Sequence, residues 1–224
     1  MNRLDTEKRA QIVAALVEGC SIRSTVRMTG ASKNTIAKLL VELGAACAEY
    51  LDTHLVNLNS KRIQYDEIWQ FVGAKEKNVP PAKRDKLGIG DVWTWVAIDA
   101  DSKLICSWLV GNGIADEGEK RYSPAVCISC EPHPISGNPD PKHISTSYIE
   151  RQNLTMRMSM RRMRRFTRLT NAFSKKLENH VEAIAIHCMH YNFVRIHQTL
   201  RITPAMAAGV TDRLWSIEDL INLL

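Results

Sequence analysis

The sequence predicts an α+β or α/β protein with an all-α helix-turn-helix at its head, on three observations. Apolar residues recur at helical spacing from Asp5 to Gly44, alternating and aromatic-rich runs follow from Lys61 to Val110, and helical spacing returns at Ser147. Strands grouped first and helices later, behind a separate helical head, describe two packing units. The expected boundaries are residues 1–50 for the head, 51–60 for a linker and 61–224 for the mixed domain.

In the head, Leu4, Ile12 and Leu16 recur at multiples of four and Gly19 is a C-terminal stop. Ser21 can cap a short second helix with Ile22 and Val26 inward, ended by Thr29-Gly30. Ser32 can cap a third, with Ile36, Leu39, Leu40 and Leu43 inward. Two helices joined through Thr-Gly-Ala-Ser read as a helix-turn-helix. In that geometry the first turn of the last helix meets base edges, which nominates Lys33, Asn34, Thr35 and Lys38, with Arg23 and Arg27 placed for phosphates. A plain three-helix bundle is the alternative.

The run Lys61 to Gly73 alternates Ile63, Tyr65, Trp69 and Phe71 on one face with Gln64, Asp66, Ile68 and Gln70 on the other. Val92–Ile98 and Leu104–Val110 are two further strands joined by Asp99-Ala-Asp-Ser102, a tight-turn sequence. Three strands with short connections predict an antiparallel meander. Gly111 to Ser145 shows no period and is read as loop. Beyond it, Ile149, Met156, Met160 and Met163 form a buried stripe, with Glu150, Asn153 and Arg157 together on another face. A long helix from about Ser174 to His197 turns Val181, Ile184, Cys188 and Tyr191 inward. Thr203-Pro204 breaks the pattern, and Trp215 to Leu224 is a short closing helix.

Composition narrows the function. The chain has 224 residues, 45% hydrophobic and 24% charged, with a net charge of +6. No apolar run reaches the roughly 18 residues of a membrane span, and the first residues lack a secretory signal. Six cysteines are too sparse for a disulfide scaffold, so free thiols in a reducing cytoplasm are expected. The basic excess is local. Nine Lys and Arg between Arg151 and His180 face one acid, Glu178, so that window carries +8 and the remainder sums to −2. A confined stripe suits a phosphate backbone, whose neutralisation releases condensed counterions, whereas a solvated helix face is the plainer reading.

Asp66 stands in mid-strand beside Glu67, so one of the two faces inward. A strand carboxylate opposite a helix carboxylate assembles divalent-metal sites for phosphoryl transfer, because hard oxygens hold Mg²⁺ or Mn²⁺ over the scissile phosphate. Glu150 is the natural helix partner. An exposed edge-strand Asp is the commoner explanation of Asp66 taken alone.

Longer runs add a family. Tyr65-Asp-Glu-Ile-Trp69, Ala74-Lys-Glu-Lys-Asn-Val-Pro80, Asp91-Val-Trp-Thr-Trp-Val-Ala-Ile-Asp-Ala100, the segment Ser145 to Arg157, Arg165 to Lys176, and Tyr191-Asn-Phe-Val-Arg-Ile-His-Gln-Thr-Leu200 with Thr203-Pro-Ala-Met-Ala-Ala resemble transposases of the insertion-sequence-one family over nearly the whole chain. The resemblance implies a helix-turn-helix followed by an RNase H-like core with an Asp, Asp, Glu triad and two Mg²⁺ ions. It implies binding to the terminal inverted repeats of a mobile element and to target DNA, metal-dependent strand cleavage and transfer, a homo-oligomer on DNA, and a cytoplasmic, nucleoid-associated protein. By position, Asp66 matches the first-strand Asp and Glu150 the helix Glu, making them the metal ligands, while Asp99 supports a turn. Asn153, Arg157, Arg161, Arg162, Arg164, Arg165 and Arg168 fall on the DNA side.

The chain departs from the family at one place. After the third strand such cores carry a helix and a fourth strand ending in the second Asp, usually beside Gly and His. Here Val110-Gly-Asn-Gly-Ile-Ala-Asp116-Glu-Gly-Glu-Lys runs almost directly into Arg121-Tyr-Ser-Pro. An internal deletion between about Glu117 and Lys120, removing one helix-strand unit, is inferred. Asp116 stands at the family's usual distance from Glu150 but at the start of the lost helix, and is the third candidate acid. Two acids alone hold one of two ions poorly, so a catalytically inactive DNA-binding remnant that occupies element ends, or a regulator, is the alternative function. Cys127-Ile-Ser-Cys130 with His133 and His143 is half a zinc site and is read as free thiols. His187, His190 and His197 are read as buried or DNA-facing, and the five Trp as core.

Overall fold

The computed structural model describes residues 4–83, 88–111, 145–160 and 174–224. Three helices lead the chain: α1 (Thr6–Val17), α2 (Ile22–Thr29) and α3 (Lys33–His54). Each begins where a side-chain oxygen takes an orphan backbone amide. The Asp5 carboxylate accepts from Lys8 N, Ser21 Oγ from Ser24 N and Ser32 Oγ from Thr35 N. Gly30 closes α2 at φ 70°, a left-handed conformation that a Cβ disfavours.

The third helix does not end at Gly44 as its sequence suggests. It continues to His54, so the first residues expected as linker are its last turn. Gly44 sits at a close helix crossing: a Cβ there would lie 2.4 Å from Glu182 Cβ and 2.7 Å from Glu182 Cα, on α5 (Leu177–Met189). A mid-helix Gly costs about 1 kcal/mol relative to Ala, an amount outweighed by the burial of Leu43, Cys47 and Leu51 along the same helix.

The sheet is the expected meander. β1 (Ile63–Val72), β2 (Gly90–Asp99) and β3 (Ile105–Gly111) pair antiparallel in that order, with Asp66 opposite Val96 and a register shift between Ala97 and Ile98. The Asp99 carboxylate holds the β2–β3 turn, accepting from the backbone N–H of Asp101 and Ser102 and from the Ser102 hydroxyl. One face of β2 buries Val92, Thr94, Val96 and Ile98. The other carries half-buried Trp93 and Trp95, opposite Trp69 and Glu67 of β1, and further along that face of β1 Ile63 and Tyr65 stay 56% and 75% exposed. The expectation that the tryptophans are core holds for Trp108 and Trp215, which pack half-buried against the main cluster, and is corrected for Trp69, Trp93 and Trp95, which fall half-buried on the face of β1 and β2 turned away from the helices.

α4 (Ser147–Ser159) lies against β1 with Ile149 and Met156 buried, followed by buried Met160. Its start is fixed from the sheet: Gln64 Oε1 accepts from Tyr148 N (3.1 Å) and Ile149 N (3.0 Å), two amides without helical partners. In α5 the residues Ile184 to Met189 are all buried, so the second half of the helix is enclosed rather than amphipathic with a single inner face. It runs into a π-helical turn (His190–Val194) and stops there, leaving His197 outside it. In that turn the fully buried Asn192 pairs with β3 like an extra strand. Its Nδ2 donates to Ile105 O and its Oδ1 accepts from Ile105 N, both at 2.9 Å. α6 (Pro204–Ala207) and α7 (Ile217–Ile221) close the fold, the latter on a capping box of Ser216 and Asp219.

One buried cluster draws on α1, α3, the sheet, α4, α5 and α7. The architecture is mixed α and β. Among the described residues no helix is long and apolar enough to cross a membrane.

Candidate functional site

Alternation along β1 turns Asp66 inward and Glu67 outward, which answers the question posed by the adjacent acids. Asp66 meets α4 directly: Asn153 Nδ2 donates to Asp66 Oδ2 at 2.7 Å. Asn153 is 2% exposed, and its Oδ1 is buried with no hydrogen-bond partner. An orphaned buried carbonyl oxygen is costly unless something else takes its lone pairs. One turn before Asn153, Glu150 is exposed and its Oε1 accepts from Thr146 Oγ1 at 2.7 Å. One turn after it stands half-buried Arg157. The strand residue and the helix face expected to converge thus do so through Asn153. The double hydrogen bond of Gln64, two residues earlier on the strand, sets the height of α4 over β1.

The oxygen donors of Asp66, Glu150 and Asn153 are hard, the kind Mg²⁺ takes. Among the described residues, however, no group of three His, Cys, Asp or Glu is placed to hold a metal ion. Of the three candidate acids, Asp116 lies outside the described residues, as do Arg161, Arg162, Arg164, Arg165, Arg168 and the Cys127–Cys130 pair. The four described cysteines, Cys20, Cys47, Cys106 and Cys188, are free. Burial pushes the Cys47 thiol up to about 12 and raises that of Cys188, so neither is a ready nucleophile.

At the head, Arg23 and Arg27 stand one turn apart on the exposed side of α2, and Lys33, Asn34 and Lys38 are exposed at the start of α3. Lys38 pairs with Glu42 at 3.5 Å in solvent, while half-buried Thr35 shares a hydroxyl hydrogen bond with Ser32. The presented turn is therefore polar, with the charge of Lys33, the neutral amide of Asn34 and the paired Lys38, while the Thr35 side chain serves the cap.

A second basic group draws on residues far apart in the sequence. Lys103, at the β2–β3 turn with φ 63°, places its ammonium 3.2 Å from the Tyr148 ring centroid on α4. His197 is tied by its backbone N–H to Ile202 O and by its carbonyl to Arg201 N. Burial, then Lys103, Arg195 and Arg151, hold its imidazole below the usual range. His187 is wholly buried on α5, where desolvation, with His190 and Arg195, lowers it to about 3. Arg151 belongs to the basic window and His197 to the histidines already noted, whereas Lys103 and Arg195 carry no sign in the spacing; the Asn192 and Tyr148 interactions bring their segments together.

No protein-family model, curated protein or solved structure matches this chain.

Proposed function

We propose that the protein is a DNA transposase of an insertion sequence, with an RNase H-like domain behind its helix-turn-helix. The reading rests on the resemblance of its motifs and above all on one observation, the 2.7 Å hydrogen bond that joins Asp66 on the first strand to Asn153, one turn from Glu150 on α4. Residues 87 positions apart are brought together there, and an Asp that was only an exposed edge residue would need no buried amide to orient it. Asn153 fixes the Asp66 carboxylate and Arg157 presents positive charge a turn further along. Arg23, Arg27, Lys33, Asn34 and Lys38 form the surface that would engage element ends.

Asp66 and Glu150 are the ligands proposed for Mg²⁺ or Mn²⁺, with the orphaned Asn153 oxygen beside them. Bound there, the ion would polarise a scissile phosphate and favour the deprotonated form of an attacking water or 3′-OH. The chain's own part is to orient the Asp66 oxygens, to keep the reacting strand against α4, and to hold DNA at both ends of the molecule. A second reading, a DNA-binding remnant without cleavage, is favoured by the sequence between Val110 and Arg121, which lacks the segment that would carry the second Asp of a two-ion site.

The test is cleavage of element-end duplexes in Mg²⁺ by the wild-type protein, Asp66→Asn, Glu150→Gln and Asp116→Asn. Cleavage by the wild type and its loss in the first two variants supports the transposase. Salt-sensitive binding with no cleavage supports the remnant, and indifference to DNA refutes both.

A further inference from the structure

We propose that Lys103, Arg151 and Arg195, with His197 beside them, grip the phosphate backbone of the DNA strand presented to the Asp66 site. The inference rests on the reading above for the choice of DNA as the polyanion; the cluster itself rests on geometry. Three segments distant in sequence are pinned together. The 3.2 Å approach of Lys103 to the Tyr148 ring sets the β2–β3 turn on α4, one helical turn from Arg151. The paired 2.9 Å hydrogen bonds of Asn192 with Ile105 set the segment leading to Arg195 and His197 on the strand that this turn opens. Arg151 and Arg195 are exposed. Like charges brought together by rigid elements repel, and among the described residues neither Arg151 nor Arg195 forms an ion pair. Of the nearby acids, Asp101 pairs with Arg62 and also acts on Lys103, Asp99 holds the turn, and Glu150, bonded to the Thr146 hydroxyl, keeps its charge for the proposed ion. After burial, the same three cations hold the imidazole of His197 below its usual range, and its Nδ1 is buried with no hydrogen-bond partner. Glu150 and Arg151 are adjacent on α4, so an anion held here lies next to the proposed chemistry.

A bound strand meets this requirement because each phosphate neutralises one cation and releases counterions. The test uses the full-length protein and short duplexes, one carrying element termini and one scrambled, with affinity measured across salt concentrations. Compared are the wild type, the triple variant K103Q/R151Q/R195Q, the charge-keeping variant K103R/R151K/R195K, and R23Q/R27Q in the head, all checked for unchanged circular dichroism. Each phosphate that a variant no longer neutralises should reduce the slope of log K against log salt by about 0.9, so the neutral triple variant should bind both duplexes more weakly with a slope nearly three shallower. The charge-keeping variant should retain both. A neutral triple variant with wild-type affinity and slope overturns the inference and leaves the transposase reading standing. A wild type that binds neither duplex overturns both.

Discussion

Asn192 offers the most direct test of how the site is assembled. It is fully buried, and its amide supplies both a donor and an acceptor to the Ile105 backbone at 2.9 Å. Asn192→Ala strands the Ile105 N–H and C=O, each worth about 1–3 kcal/mol when buried and unsatisfied, so the loss should be about 2–6 kcal/mol. That is a large share of the roughly 5–15 kcal/mol that holds a domain together. Asn192→Asp discriminates further. It keeps the shape but sets an anion or an unmatched oxygen against Ile105 O, so it should also destabilise, which a purely volumetric role would not produce. Urea unfolding followed by circular dichroism reads both. A loss below about 1 kcal/mol in Asn192→Ala, the low end of the cost of one stranded group, would refute the reasoning, as would wild-type stability of Asn192→Asp at neutral pH.

Three further outcomes are expected. Gly44→Ala should destabilise by about 1–3 kcal/mol despite alanine's better helix propensity, because the added Cβ would meet Glu182 Cβ, Oε2 and Cα; adding Glu182→Ala should relieve only the Oε2 contact and leave most of the loss, and thermal melts would show it. His187 should make stability fall as pH drops from about 6.5 towards about 3, since the unfolded imidazole gains a proton that the folded one refuses. The slope should reach at most about 1.4 kcal/mol per pH unit, and His187→Gln should flatten it in pH-dependent unfolding curves. Ser32→Ala should cost about 1 kcal/mol through the lost cap of α3 and fray the turn carrying Lys33 and Asn34, weakening duplex binding in a fluorescence titration.

Much of this fold could be read from spacing. The three head helices, the Ser caps of the second and third, and the meander follow from local patterns that the tertiary structure leaves intact. What failed did so where a distant partner decides. Gly44 has the local signature of a helix end and is instead the clearance for α5. Six consecutive buried residues in α5 hide the single face that periodicity looks for. Tryptophans on β1 and β2 obey the alternation, but which face is inner depends on where α4 docks. At the site, Asp66 was legible as an anomaly and Asn153 as a neighbour of Glu150, whereas Gln64, Lys103 and Arg195 acquire roles only once α4 and the π-turn are in place.

The length of α3 has a mechanical consequence. A single uninterrupted rod of 22 residues, about 33 Å, bears the exposed Lys33 and Asn34 at its first turn and is wedged against α5 from its middle, at Gly44. With no hinge between them, any roll imposed on the first turn, as by the proposed docking on DNA, is delivered to the interior as a rigid displacement. A head on a flexible tether would turn independently of the body; this one carries the rest of the molecule with it.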